Sequence, residues 1–498
     1  MQPVNHGLQQ RMAELLRQVN RLLDFNNARA CWIFYAMAAL TFLPALGFYY
    51  VGEEAIHPIV SLEMWYRGVW LQQPLFGQLL KHNPLFHWLI IPASSLIGWE
   101  HVLNVARAIT ICAAVMTGIV AGWLARKLYR DNALAAFTAL VYITLEDVFF
   151  YRGWLAYVDP LFGLLVFSAI ACLWVGSAEK RPGLLWLASF ALFGAFMTKA
   201  LTAYAFYVVA VMVLALRREY RRFLLRPGAL LPHLLAFAAP VLWFAYVTGG
   251  AQQSVMMGDI LRKFSLDNLP VYEKQLVIFP LLTIAHLLPW SLVILYFARA
   301  RRFIRSAPGL SELNTAAWIL GLNFIPYWLS PQSQPRYVVP LYPLFALVLA
   351  YFIWGLGDKA KVVAVRAVMV SIVLKLVFVL AAFPYYQRHY RGENYEIAAR
   401  EILHRTEGHK LYSSYTGSSG LNITAYLDIF RLPQAPLTFP PSQWNSGFVL
   451  AHMPDPALGQ IAERYRLGPE TIYLLCRGSA CGVGGTHNSP SGEPSNAH

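Results

Sequence analysis

Charge is scarce in this sequence. Asp, Glu, Lys and Arg make up 13% of its 498 residues, against 57% hydrophobic residues. A soluble chain of this length cannot hide that much apolar surface, whereas a bilayer can accept it. Apolar runs of about 20 residues recur, the length that crosses about 30 Å of hydrocarbon. The fold class implied is an α-helical polytopic membrane protein. A Gly-rich loop to cradle a nucleotide phosphate is missing, as is any cytoplasmic domain to hold a nucleotide. A basic stripe interleaved with aromatics is missing too. The net charge of +14 sits in short clusters between apolar runs, which points to membrane orientation and argues against nucleic acid. No small-residue cleavage site follows the first apolar run, so that run is expected to remain as a helix. Of five cysteines, Cys31, Cys112 and Cys172 lie in apolar runs and read as packing residues. Cys476 and Cys481 lie in the polar tail, close enough to pair in an oxidising compartment.

What is present is organised by alternation. Residues 1–29 carry Leu15, Leu16, Val19, Leu22 and Leu23 at helical spacing and read as a basic amphipathic cytoplasmic helix. Eleven spans are expected, near 30–51, 102–124, 133–150, 158–176, 184–198, 200–216, 229–248, 277–298, 313–330, 338–356 and 362–384. The segment 85–99, LFHWLIIPASSLIGW, is apolar but short for a bilayer and holds Pro92. If it spanned, the basic loops would alternate between the two sides. If it lies in the interface or re-enters, they all fall on the side of the basic N-terminus, as the positive-inside bias requires: Arg126/Lys127/Arg130, Lys180/Arg181, Arg217–Arg226, Arg299–Arg305 and Lys359/Lys361. The topology expected is N-terminus in and C-terminus out. The polypeptide divides into the N-terminus 1–29, a transmembrane domain 30–384 with an outer first loop 52–101, and an outer C-terminal domain 385–482. A tail, 483–498, is poor in apolar residues and expected to be disordered. Helix signals at 394–406 and the strand-like GFVLAH and TIYLLC make the C-terminal domain a small α/β unit.

With that topology, polar residues gather at one membrane level. Glu53 and Glu54 follow the first span, and Asp159 opens the fourth after Arg152. Lys199 sits in a tight turn, Arg262 in the next outer loop, and Arg336–Tyr337 at the mouth of the tenth span. Each has a plainer reading. Glu54 can be a solvated loop charge, Asp159 a helix cap, and Lys199 and Arg336 cations that snorkel to headgroups. His57, His82 and His87 lack metal-ligand spacing and read as surface or core residues. Together the charges are harder to dismiss, because ionisable groups at membrane depth mark function. A carboxylate can act as general base on an alcohol or amine, and cations can stabilise a departing phosphate. A phosphorylated lipid can deliver an activated group from the bilayer.

The order of the pieces carries a resemblance. A span is followed by GEEAI, EMWYRGVWLQQPLFG and HNPLFHWL, then by Arg107 early in the next helix. RGWLAYVDPLFGLL, FMTKALTAY and SQPRYVVPLYPLFAL follow in register over about 350 residues. This resembles the GT-C type membrane glycosyltransferases, most closely the protein O-mannosyltransferases and lipid A aminoarabinose transferases. The resemblance implies that Glu53 takes the catalytic Asp position and Glu54 its Glu. Asp159 takes the second acidic position. Lys199, Arg336 and Tyr337 are expected near the lipid phosphate, with His82, Lys81 and Arg262 as further phosphate ligands and Arg107 and Arg152 in support. His82 stands where many relatives have a Lys, and Asn83 where they have a Pro. Lys81 and Asp259 replace the residues that bind metal in the aminoarabinose transferases, so no equivalent zinc site is expected; the pattern requires no cofactor, though a divalent metal stays open.

The activity this implies is inverting transfer of a sugar from a polyprenyl-phosphate-linked donor, at the periplasmic face of a bacterial inner membrane. The acceptor is lipid A, another glycolipid or polysaccharide, or a protein. Two rivals are a transporter or flippase of a lipid-linked glycan, with Lys375 and His286 as its buried polar positions, and a non-catalytic scaffold whose tail binds a partner.

Overall fold

The computed structural model describes residues 25–80, 82–247, 258, 269–298, 309–390, 392–467 and 470–484. Residues 1–24 of the amphipathic segment expected over 1–29, Lys81, Asp259, Arg262 and residues 485–498 of the tail expected over 483–498 lie outside the described residues.

Helix α1 (Ala28–Leu40) is capped by Asn27, whose side chain accepts from the Arg29 N–H, and runs into a short 3₁₀ turn, Leu43–Gly47. The first loop holds α2 (Ile56–Arg67), the hairpin β1 (Gln73–Leu75) and β2 (Gln78–Leu80), and α3 (Leu85–Ile97). Next come α4 (Val102–Tyr129), α5 (Asn132–Ile143), a π-helical turn Asp147–Arg152, α6 (Asp159–Glu179), α7 (Pro182–Thr198) and α8 (Thr202–Ala215). They are followed by α9 (Arg218–Leu224), α10 (Pro227–Tyr246), α11 (Leu269–His286), α12 (Trp290–Ala298) and α13 (Leu310–Leu329). A 3₁₀ turn, Pro335–Leu341, then leads into α14 (Tyr342–Gly355) and α15 (Asp358–Val377).

Every expected span falls on a helix. Among the described residues, six helical runs are long and apolar enough to cross a membrane, and α11 with α12, bent by 98° at a short break, make a broken seventh. Four shorter apolar helices are α3, α5, α7 and α8, while α13 carries the expected span 313–330 but is not among the helices apolar enough to cross. At 13 residues α3 is about 20 Å long, well short of the hydrocarbon thickness. Close helix contacts rest on small residues: a Cβ at Gly122 of α4 would lie 3.0 Å from the Ala135 carbonyl of α5. Cys31 and Cys172 are buried, whereas Cys112 is exposed, so it faces the surroundings rather than packing inside.

The C-terminal region begins without a break at 385. Helix α15 passes through a π turn, Phe378–Ala382, into α16 (Phe383–Tyr390) and on to α17 (Gly392–Arg405). Strand β3 (Leu411–Ser413), α18 (Ser418–Phe430), β4 (Gly447–Ala451), β5 (Gln460–Leu467) and β6 (Glu470–Arg477) follow. The sheet has order β3-β4-β6-β5, with β3 and β4 parallel and the other pairs antiparallel. Ile402, Ile423, Leu427, Phe448 and Leu474 form its core with the two helices. Cys476 and Cys481 are joined as a disulfide. Helix α18 and strand β5 were not read from the sequence; β5 is a half-exposed edge with little apolar pattern. This unit docks on the first loop through Tyr50–Tyr426 and Phe76–Phe439 ring contacts, with Leu421 and Ala425 in the loop's own apolar cluster.

Candidate active site

The chain leaves the first span at Gly52, whose φ is +58° and where a Cβ would lie 2.9 Å from the Tyr157 hydroxyl. Both the left-handed backbone and that contact call for glycine. The two carboxylates that follow diverge. Glu53 is exposed and lines a cavity of about 880 Å³. Glu54 turns inward and is fully buried. Its Oε1 accepts from Arg107 Nε at 2.9 Å and from the Ala156 N–H at 2.7 Å. Its Oε2 accepts from Arg107 Nη2 at 2.6 Å and from the Val51 N–H at 2.8 Å. Arg107, itself fully buried, also donates to the carbonyls of Ala45, Phe48 and Tyr49 at 2.9, 2.5 and 2.8 Å. Gln387 of α16 meets Tyr49 from the other side, accepting from its N–H at 3.1 Å and donating to its carbonyl at 3.0 Å. Glu54 is therefore not a solvated loop charge, and it does not line the cavity. Its oxygens are committed to a buried ionic joint that fixes the turn presenting Glu53.

The cavity gathers the other expected residues from distant segments: Asp159, Lys199, Arg336, Tyr337 and His82 all line it with Glu53. Asp159 is placed by the first turn of α6, just before Pro160, and is nearly buried. Lys199 follows the last residue of α7, and its ammonium donates to the Asp159 carboxylate. That ammonium lies 5.6 Å from the Tyr337 ring centre, as does the Arg336 guanidinium, so Tyr337 stands in reach of both cations. Arg336 Nε and the Ser333 hydroxyl are buried with no hydrogen-bond partner among the described residues. A buried unpaired donor costs about 1–3 kcal/mol, and a ligand with acceptor oxygens would remove that cost.

Arg152 stays off the cavity. It pairs with Asp147 at 2.8 Å, and Asp147 also accepts from the Tyr342 hydroxyl at 2.8 Å. Among the described residues, no group of three or more His, Cys, Asp or Glu is placed to hold a metal ion.

Several lining residues escaped the sequence reading. His57 and His87, read as surface or core residues, both border the cavity. His87 is packed as well, with Nδ1 2.8 Å from the Ser61 hydroxyl. Burial holds both rings neutral, pushing His57 down to about 4 and His87 well below the usual histidine range. The one signal for His57 was its place a helical turn after Glu53. Asn83, in the place of a proline in relatives, ties the loop to the end of α7 by donating to the Phe196 carbonyl at 2.6 Å. Ser333 had no signal beyond its nearness to Arg336.

A helical bundle of this topology, with acids and cations gathered in one cavity and a small α/β unit docked on its first loop, has the fold of the GT-C type membrane glycosyltransferases. In particular, the chain is similar to ArnT from Cupriavidus metallidurans. The TM-score is 0.65 to the form bound to undecaprenyl phosphate, with 16% identity over 90% of this chain and 98% of that one, and 0.66 to the apo form, with 15% identity over 93% and 100%. In sequence it is 25% identical over 325 residues to the undecaprenyl phosphate-α-4-amino-4-deoxy-L-arabinose arabinosyl transferase of Edwardsiella ictaluri. That match covers 64% of this chain and 58% of the relative. The protein of the same name from Pseudomonas paraeruginosa is 25% identical over 359 residues, 70% and 64% of the two chains. The chain thus spans about three fifths of the length of these curated relatives. No family model matches it.

Proposed function

We propose that this protein is an inverting glycosyltransferase that moves a sugar from a polyprenyl-phosphate-linked donor to an acceptor outside the membrane. The observation that carries the reading is the meeting of Glu53 with Lys199, Arg336 and unpaired Ser333 in one cavity. Glu53 takes the proton from the acceptor hydroxyl or amine as that atom attacks the anomeric carbon. The bond from that carbon to the phosphate oxygen breaks, and its electron pair leaves with the phosphate. Arg336, Lys199 and Ser333 receive the charge that develops there. Asp159 holds the Lys199 ammonium in place. Glu54 and Arg107 act through Glu53, as positioning residues. Tyr337 and His82 complete the phosphate end, to which Lys81 and Arg262 are assigned from the sequence pattern. No step runs through a metal.

The similarity to transferases named for an undecaprenyl phosphate donor supports that lipid as carrier. The basic loops support a bacterial inner-membrane protein with N-terminus cytoplasmic and cavity and C-terminal domain periplasmic. The acceptor is lipid A, another glycolipid or polysaccharide, or a protein. The runner-up, a carrier of lipid-linked glycan, is favoured by the broken span α11–α12 and by buried Lys375. That break is pinned, however, by Glu146 N–H to the Leu288 carbonyl at 2.9 Å, by Glu146 to His286 at 3.1 Å and by Trp290 to Thr144 at 3.1 Å.

The test is incubation of purified protein with undecaprenyl-phosphate sugars and an acceptor extract, following release of undecaprenyl phosphate. Wild type is expected to release it, and Glu53→Gln and Asp159→Asn to insert and fold without releasing it. Full activity in Glu53→Gln removes the base assignment.

A further inference from the structure

His57 lines the cavity beside the proposed reaction centre, yet no hydrogen bond joins its ring nitrogens to any described residue. The ring is nevertheless held. It meets the Phe86 ring edge-on, with centroids 5.0 Å apart at 84°, and lies 5.6 Å from the His87 ring. Its backbone N–H donates to the Glu54 carbonyl at 3.3 Å, which ties it to the buried ionic joint.

We infer that His57 binds a hydroxyl group of the transferred sugar, and that the sugar of this protein's donor is an uncharged polyol rather than an aminosugar. The inference rests on the glycosyltransferase reading and deepens it. A neutral imidazole offers one N–H donor and one lone-pair acceptor, the complement of a hydroxyl, which also donates and accepts. Burial keeps the ring in that form at periplasmic pH, with Asp159 opposing and His82 and Lys199 adding to the effect. An ammonium on the sugar would need a carboxylate. The carboxylates among the described lining residues are Glu53 and Asp159. Asp159 already holds the Lys199 ammonium, and Glu53 is required for the acceptor's proton. His57 lies one helical turn from Glu53, where the anomeric centre must sit, while Arg336 and Ser333 mark the phosphate end.

The experiment measures kcat and KM with three undecaprenyl-phosphate donors, carrying a neutral hexose, a neutral pentose and 4-amino-4-deoxy-L-arabinose. The proteins are wild type, His57→Phe and His57→Gln. Wild type is expected to use one of the neutral donors at least about tenfold more efficiently than the aminosugar, from one hydrogen bond and an uncompensated charge. His57→Phe should lose about 10- to 100-fold in kcat/KM on that donor, with the unfolding temperature unmoved. His57→Gln, which keeps a donor and an acceptor, should retain more. Full efficiency in His57→Phe, equal losses in the two variants, or preference for the aminosugar overturns the inference and leaves the glycosyltransferase reading standing. If wild type consumes none of the donors, both fall together.

Discussion

Glu54 and Glu63 lie in the same loop after the first span, and both are fully buried. They are treated differently by the structure. Glu54 has a donor on every side: the Arg107 fork and two backbone N–H groups. Glu63 uses Oε1, which accepts from Arg67 Nε at 2.7 Å and the Gly77 N–H at 2.8 Å, while Oε2 has no partner among the described residues. Burial pushes its carboxyl above the usual range despite Arg67. Asp428 of α18 feels the Glu63 charge and is likewise short of partners at Oδ2. Its carboxyl is pushed up to about 8, chiefly by burial and against the Leu437 N–H and Arg431. Glu54, with a full set of donors, acts as an ionic joint, whereas burial with half a set drives a carboxyl toward its protonated form. The first joint fastens the turn that bears Glu53 to the helical frame, and the second lies where the C-terminal domain seats on the loop.

The contrast is broken most forcefully at Arg107. Arg107→Met strips the buried Glu54 carboxylate of its ionic partner and leaves it only the Val51 and Ala156 N–H groups, a loss of about 3–5 kcal/mol. Little folded protein should be recovered, and what remains should unfold far below wild type in a detergent melt; an unchanged melt means the joint holds nothing. Next in size is Glu53→Gln, one residue away. Transfer should fall by about 10²- to 10⁴-fold with the melting temperature unmoved, separating chemistry from frame between adjacent carboxylates.

The second joint is probed with pH. Asp428 has a folded value near 8 and an unfolded value near 3.8. Between these the folded protein holds the extra proton, so stability falls as pH rises from about 4 to 8 and the contribution is gone above 8. Limited proteolysis should cut the C-terminal domain faster at pH 8.5 than at pH 5.5, and Asp428→Asn should flatten that dependence. A profile as steep in Asp428→Asn as in wild type would assign the titration elsewhere. The smallest effect is expected from Gln387→Ala, which removes two hydrogen bonds to Tyr49 worth about 1 kcal/mol each. It should lower kcat several-fold with donor KM unchanged, because it loosens the turn without touching substrate; a change confined to KM contradicts that.

Much of the cavity was legible before any coordinates. Glu53, Asp159, Lys199 and Arg336–Tyr337 group together because charge is rare in this chain and alternating spans put those residues at one level, whereas His82 joins them only through the family resemblance. The roles within the group were less legible. Nothing local distinguishes Glu53 from Glu54, since the difference lies in a partner 53 residues away, Arg107. Gln387 reaches Tyr49 across 338 residues. The Ser333 hydroxyl and the His57 ring gain meaning only from what surrounds them.

Composition and periodicity alone determined that this is a helical membrane protein with its polar residues gathered at one level, because apolar runs of bilayer length have few other solutions. Tertiary structure alone decided which buried charges are spent on structure and which remain for chemistry. Whether a carboxylate stays ionised, takes a proton or is left open to a ligand depends on the donors that distant segments bring to it.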